Sequence, residues 1–376
     1  MLMFGKSARN LTCSFSLAIL ASVSAVAVAG GAAEAADKVV KVYNWSDYID
    51  PSILTDFTKE TGIKVVYDVF DSNEVLETKL LAGHTGYDIV VPTATFLSRQ
   101  IKAGVFQKLD KSKIPNLKNG WPEVYNRVAA YDPGNDYAVN WMWGTTGVGY
   151  NEAKIKERMP DAPVNSLDII FKPEIAAKFK DCGIYVLDSP EDILPVALNY
   201  LGLDPNTTNP EDFKKAEDLI MKIRPYIKKF HSSEYINALA NGDACMALGW
   251  SGDILQAAAR ARDAKNGQII EYHIPKEGTQ MWFDMMAIPA DAKDVEEAHI
   301  LLNYLNRPEV AAKASNFVEY ANGNLASQKF IDESVMKNPA VYPDPDTMKK
   351  LFVKTSWDNK TQRVVTRMWT KITTGQ

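Results

Sequence analysis

The chain has 376 residues, 46% of them hydrophobic and 24% charged, a composition that can bury a large core and excludes disordered and fibrous classes. Its 42 Lys and Arg stand against 47 Asp and Glu, a net charge of −5 that excludes a broadly basic nucleic-acid-binding surface and favours a cationic partner. At roughly 150 residues per domain, the length points to two domains.

The chain opens with Lys6 and Arg9, an apolar run from about Leu11 to Ala29, and small residues ending Ala33-Glu34-Ala35. That order of charge, apolar core and A-x-A site is the pattern of a secretory signal peptide. Residues 1–35 are therefore expected to be removed, with cleavage near Ala35/Ala36; an uncleaved anchor is the alternative. Cys13 precedes most of the apolar run and follows Thr12, so it does not read as a lipidation site. Removing Lys6, Arg9 and Glu34 takes away one net positive charge. No later segment has the apolar length to span a membrane, so an exported, free product is expected.

Strands and helices then alternate. Val39 to Tyr43 is β-rich, and Pro51-Ser52 opens a helix with Ile53, Leu54 and Phe57 on one face until Gly62. Ile63 to Val69 reads as a strand, Glu74 to Ala82 as a helix, and Asp88 to Val91 as a buried strand of a helix-covered parallel sheet. This βαβαβ order implies an open α/β sheet. Asn209-Pro210-Glu211 supplies a cap, a first-turn proline and an acid for a helix that turns Phe213, Ala216, Ile220 and Ile223 inward. Ala298, Leu301, Leu302 and Leu305 repeat that spacing before Pro308. Two apolar runs, Ala138 to Tyr150 and Trp282 to Pro289, read as crossings between lobes, because a core of this length tends to divide; ordinary core strands of one large sheet are the alternative. The expected division is 36–141 with 267–310 as one lobe and 142–266 with 311–376 as the other.

After export only Cys182 and Cys245 remain, and an oxidising compartment favours a disulfide between them; two buried thiols are the alternative. Closing a loop of roughly 60 residues is worth about 4 kcal/mol in the chain-entropy account. His84, His231, His273 and His299 show no spacing that would make a metal site with one another or with the cysteines, so no metal and no cofactor are expected. Dinucleotide and phosphate loops, a Gly-x-Ser-x-Gly elbow and His-Glu-x-x-His are all missing from the sequence. Gly249-Trp250-Ser251-Gly252-Asp253 lacks the nucleophile spacing, and the adjacent acids Glu191-Asp192 read as a solvated helix start. A binder is expected rather than an enzyme.

What recurs is an aromatic ring beside a carboxylate at a segment end: Trp45 and Tyr48 around Asp47, Trp250 near Asp253, Trp282 near Asp284, and Tyr320 after Glu319. Carboxylates give charge-assisted hydrogen bonds and indole faces attract ammonium groups, so the set suits an organic cation with an apolar body. No arginine adjoins these clusters in sequence, which disfavours an amino acid whose carboxylate needs an anion site.

Through Asn44-Trp45-Ser46-Asp47-Tyr48-Ile49, Tyr87-Asp88-Ile89-Val90-Val91-Pro92, the run from Gly144 to Asn151, Gly249 to Asp253, and Ile274 to Gly278, the chain resembles the polyamine-binding proteins of ABC importers. The resemblance covers almost the whole mature chain. It implies a two-lobed periplasmic-binding-protein fold of type II, each lobe a mixed open sheet flanked by helices, joined by two crossover strands. It also implies a periplasmic monomer that binds putrescine or spermidine and delivers it to an inner-membrane ABC permease. By resemblance Trp45, Tyr48, Trp250, Trp282 and Tyr320 form aromatic walls; Asp192, Asp253 and Asp284 meet amine groups; Ser46, Asp47 and Thr93 add polar contacts. Thr93 stands where relatives often have Ser and Trp282 where many have Phe, and the larger ring leaves putrescine and spermidine both open. The competing expectations are a binder of another organic cation or a basic amino acid, and a secreted amine-processing hydrolase using Ser251 or the Glu191-Asp192 pair.

Overall fold

The computed structural model describes residues 38–375; the expected signal peptide and its cleavage junction lie outside the described residues. In chain order the strands are β1 (Val39–Trp45), β2 (Lys64–Phe70), β3 (Ile89–Val90), β4 (Ala138–Asn151), β5 (Ile184–Val186), β6 (Ile227–Phe230), β7 (Met246–Trp250), β8 (Ile270–His273), β9 (Gln280–Ala287), β10 (Ala321–Asn322) and β11 (Phe352–Val353).

The local chemistry explains the first unit. Asp50 accepts from the Ser52 N–H, Pro51 starts the helix Pro51–Thr61, and Gly62 ends it at φ 74°, a left-handed position that glycine adopts without strain. Ile53 and Phe57 are the buried face of that helix. It returns the chain so that β2 lies parallel to β1, with β3 parallel on the other side. β9 then pairs antiparallel with β3 and with the first half of β4. β10 is antiparallel to β4, and β11 runs parallel to β9.

The second half of β4, from Thr146, pairs with β7 and β8, and β7 continues to β5 and β6. β4 is thus shared by two mixed sheets, and every one of its 14 residues is buried. Gly144 lies near the changeover because there is no room for a side chain: a Cβ there would stand 2.8 Å from the Trp282 ring and 2.9 Å from the Ser251 hydroxyl.

Two hydrophobic clusters form on these sheets. One includes Val40, Phe57, Leu97, Val139, Phe283 and Leu301; the other includes Phe179, Leu198, Phe213, Leu248 and Ile254. Residues 311–376, expected together on the second lobe, divide between them. Ala312, Val318, Tyr320 and Leu351 join the first cluster, whereas Trp357, Val365 and Trp369 join the second. β4 makes the expected first crossing. The segment from Trp282, expected as the second, is wholly paired within the first sheet as β9, and the chain crosses just before it, between β8 and β9. There the Thr279 hydroxyl donates to the Thr146 carbonyl and ties the two crossings together. A third passage follows β11, between Val353 and Trp357, where sequence periodicity is silent because the segment has neither strand nor helix length.

Cys182 and Cys245 are disulfide-bonded with their Cα atoms 5.3 Å apart, just ahead of the parallel neighbours β5 and β7. The helix Pro210–Ile223 is capped by Asn209 and buries Phe213, Ala216, Ile220 and Ile223 as expected. Pro308, expected as a stop, also occupies the first turn of the next helix, Pro308–Val318, where its missing N–H is no loss. Among the described residues no helix is long and apolar enough to cross a membrane.

Candidate ligand-binding site

A cleft with about 570 Å³ of atom-free space, open solvent at its mouth included, lies where the two clusters meet. Its walls come from strand ends and helix starts. Trp45 ends β1, Thr93 follows β3, and Trp250 ends β7, so the parallel strands present their carboxyl ends to the cavity. Gln280, Trp282 and Asp284 alternate along β9, and the period of two places them on one face. Asp192 and Asp253 occupy first turns of the helices Pro190–Tyr200 and Ser251–Ala264. Glu319, at φ 58°, terminates the helix Pro308–Val318, and Tyr320 follows at the wall.

Three buried aspartates are held by neutral donors. Asp284 accepts from the Tyr48 hydroxyl at 2.8 Å and the Thr93 hydroxyl at 2.7 Å. Asp253 accepts from the Tyr320 and Tyr235 hydroxyls at 2.8 and 2.7 Å. Asp192 accepts from the Ser189 hydroxyl at 2.6 Å, the Thr146 hydroxyl at 2.9 Å and the Trp250 indole N–H at 3.2 Å. Burial raises the carboxyl of Asp284 to about 7 and that of Asp253 to about 6. The same cause raises Asp192, against the pull of its three donors. Desolvation outweighs these hydrogen bonds because, among the described residues, no cation stands at ion-pair distance from these three carboxylates to replace lost water.

Around the aspartates runs a belt of rings. Trp45 meets Trp250 edge-on at 5.5 Å, Trp250 meets Trp282 at 6.4 Å, Trp282 meets Tyr320 at 5.4 Å, and Tyr320 meets Tyr48 at 5.3 Å. The Trp45 indole N–H is fixed by the Val91 carbonyl at 2.9 Å. By contrast the Trp282 Nε1 and Gln280 Oε1 atoms are buried without a hydrogen-bond partner among the described residues. Rings in edge contact brace one another and leave faces for an apolar chain or a cation.

Of the residues read from the sequence, Trp45, Ser46, Tyr48, Thr93, Asp192, Trp250, Asp253, Trp282, Asp284 and Tyr320 all line this cavity. Asp47 does not. Its side chain is 40% exposed at φ 55° and pairs with the Arg260 guanidinium at 2.6 Å, because the left-handed turn after Ser46 carries it away from the interior. The Glu191-Asp192 pair, expected to be solvated, is buried because its helix start faces the cavity. The Ser251 hydroxyl accepts from the Thr145 N–H, with no histidine bonded to it.

Sequence reasoning missed several participants. Tyr235 lies 18 positions before Asp253, outside the motif it serves, yet it buttresses that carboxylate. Asn73 exchanges hydrogen bonds with Thr93 and so aims that hydroxyl at Asp284. The alternation along β9 was the available signal for Gln280. Arg99 reaches Glu191 at 3.1 Å and Glu77 at 2.6 Å, so an arginine distant in sequence does adjoin the cavity, with its charge already engaged by two carboxylates. Lys354, fully buried on the third crossing, pairs with the other Glu191 oxygen.

The pattern of the family described as bacterial extracellular solute-binding protein matches residues 52–343. The putrescine-binding periplasmic protein SpuD of Pseudomonas aeruginosa is 53% identical over 96% of this chain and 99% of its own length. The putrescine-binding periplasmic protein PotF of Escherichia coli is 53% identical over 93% of this chain and 95% of its own. A structure titled a putative spermidine/putrescine ABC transporter from Listeria monocytogenes superposes with a TM-score of 0.80 at 32% identity, covering 90% of this chain and all of that one.

Proposed function

We propose that this chain, which belongs to the bacterial extracellular solute-binding protein family and has its two-lobed α/β fold, captures a polyamine of the putrescine class and delivers it to a membrane ABC permease. It is a non-catalytic binding component that works outside the cytoplasm. We extend this to the finer points: export through cleavage near Ala35/Ala36, and lobes that correspond to the two hydrophobic clusters and meet over the ligand.

The observation that carries the ligand class is the chemistry of Asp192, Asp253 and Asp284. Each is buried, and each has hydroxyl or indole donors where a stable protein would ordinarily place a cation. Ammonium groups of a diamine supply the missing charge, and the methylenes between them lie against the belt of rings. Each fully buried CH₂ contributes about 0.8 kcal/mol. Each charge-assisted hydrogen bond contributes about 1.5–3 kcal/mol. An amino acid is the weaker reading, since Arg99 and Arg260 are both paired with carboxylates.

Calorimetric titration of the ligand-stripped mature protein with putrescine, cadaverine, spermidine and arginine tests the reading. Reversible 1:1 binding of an amine without chemical change is the expected result. Failure to bind every polyamine, or uptake of a neutral sugar or an anion in its place, overturns it.

A further inference from the structure

We propose that Lys354 is a resident cation of the cavity, which with Arg99 occupies the Glu191 carboxylate and so selects diamines over triamines. The inference rests on the polyamine reading above and deepens it. Glu191 lines the cavity on the same helix turn as Asp192, but its two oxygens face two positive groups. Arg99 Nη1 stands 3.1 Å from Oε1, and Lys354 Nζ pairs with Oε2. The lysine is built into its place. Its side chain has 0% exposure, its ammonium donates to the Thr355 carbonyl at 2.9 Å, and it lies 3.6 Å from the centroid of the Trp357 ring. Arg99 is equally fixed, with Nε and Nη2 forked onto Glu77 at 2.6 and 2.8 Å. Two cations thus face the Glu77 and Glu191 carboxylates before any ligand arrives.

The rest of the cavity is the opposite. Asp192, Asp253 and Asp284 have only neutral donors, and the unpartnered Gln280 Oε1 and Trp282 Nε1 share the β9 face with Asp284. A ligand with two ammonium groups finds carboxylates that no cation among the described residues touches. A third ammonium reaching towards Glu191 meets a carboxylate already engaged, with an ammonium and a guanidinium behind it. Like charges brought together in a desolvated site are the usual means of rejecting a near relative of the ligand.

The test is calorimetry of the full mature protein with putrescine and with spermidine, comparing the two affinities. The unaltered protein is expected to prefer putrescine by about tenfold or more, and Lys354→Gln to shift that ratio towards spermidine by at least about tenfold. Lys354→Arg, which keeps the charge, should keep the preference. The inference is overturned if the unaltered protein binds spermidine as tightly as putrescine, a result that needs no variant to fold. It is equally overturned if Lys354→Gln binds putrescine with an unchanged ratio, or if Lys354→Arg moves the ratio as far as Lys354→Gln does. Binding of neither amine by the unaltered protein refutes the polyamine reading itself, whereas putrescine binding with an unmoved ratio refutes only the role of Lys354.

Discussion

A buried carboxylate with no counter-charge is an unstable arrangement that a cation resolves, and Asp284 is the strongest case in this molecule. Its hydroxyl partners orient the oxygens without neutralising them. Asp284→Asn keeps the shape and removes the charge, so putrescine affinity should fall by about 2–5 kcal/mol in calorimetry while the fold is retained. Undiminished affinity would remove Asp284 from the site. The raised carboxyls of Asp284 and Asp253, at about 7 and about 6, also set a pH dependence. Their folded values lie above the roughly 4 of an unfolded chain, so the stability they contribute is present below that value and lost as pH rises through about 6 to 7. Ligand binding has the reverse sign, because an ammonium needs the ionised form. Between pH 8 and pH 5.5 putrescine affinity should drop by on the order of tenfold or more, with proton release visible as a buffer-dependent binding heat. A flat profile across that range would show that neither aspartate titrates against ligand.

At the scale of elements, the site is made by short strand ends and first helix turns, and its tolerances are tight where two of them touch. Gly252 sits in the first turn of the helix that carries Asp253, and a Cβ there would come 2.4 Å from the Tyr320 ring. Helix propensity alone favours alanine at such a position by up to about 1 kcal/mol. Packing decides otherwise, since Tyr320 is fully buried and its hydroxyl both donates to Asp253 and accepts from the Asp253 N–H. Gly252→Ala should therefore destabilise by about 1–3 kcal/mol and weaken putrescine binding together, read by thermal denaturation and calorimetry. An unchanged melting temperature would mean that the ring moves freely. The same scale shows what periodicity reveals. The helices Pro51–Thr61 and Pro210–Ile223 were legible because cap, proline and apolar spacing agree. The assignment of Glu191-Asp192 to solvent failed because a helix start exposes its acids only when nothing packs over it.

At the scale of the molecule, ion pairs join the parts that surround the cavity. Asp47 follows β1 on the first cluster and pairs with Arg260 on the helix Ser251–Ala264 of the second, while Arg99 and Glu191 make a similar link deeper in. An exposed pair of this kind is worth about 0–1 kcal/mol, so Arg260→Ala should weaken putrescine binding by less than about tenfold, chiefly through faster release in stopped-flow measurements. Small-angle scattering should show the ligand-stripped protein become more compact when putrescine is added, because the ligand bridges groups carried by both clusters. Dimensions that do not change would separate binding from lobe closure.

The sequence by itself determined the alternating α/β elements, the aromatic and acidic residue types, and most of the positions that meet at the cavity. The elements and the ring–acid pairs follow from local propensity and from motifs whose residues lie within a few positions of one another, as with Trp250 and Asp253, whereas Ser46, Thr93 and Asp192 were placed only by the family resemblance. Only the tertiary structure decided that Asp47 turns outward to Arg260, that Tyr235 and Asn73 brace the aspartates, and that Lys354 and Arg99 engage Glu191. Those outcomes join residues tens to hundreds of positions apart. Their energies depend on burial and on the distance to a counter-charge, and both exist only once the chain has folded.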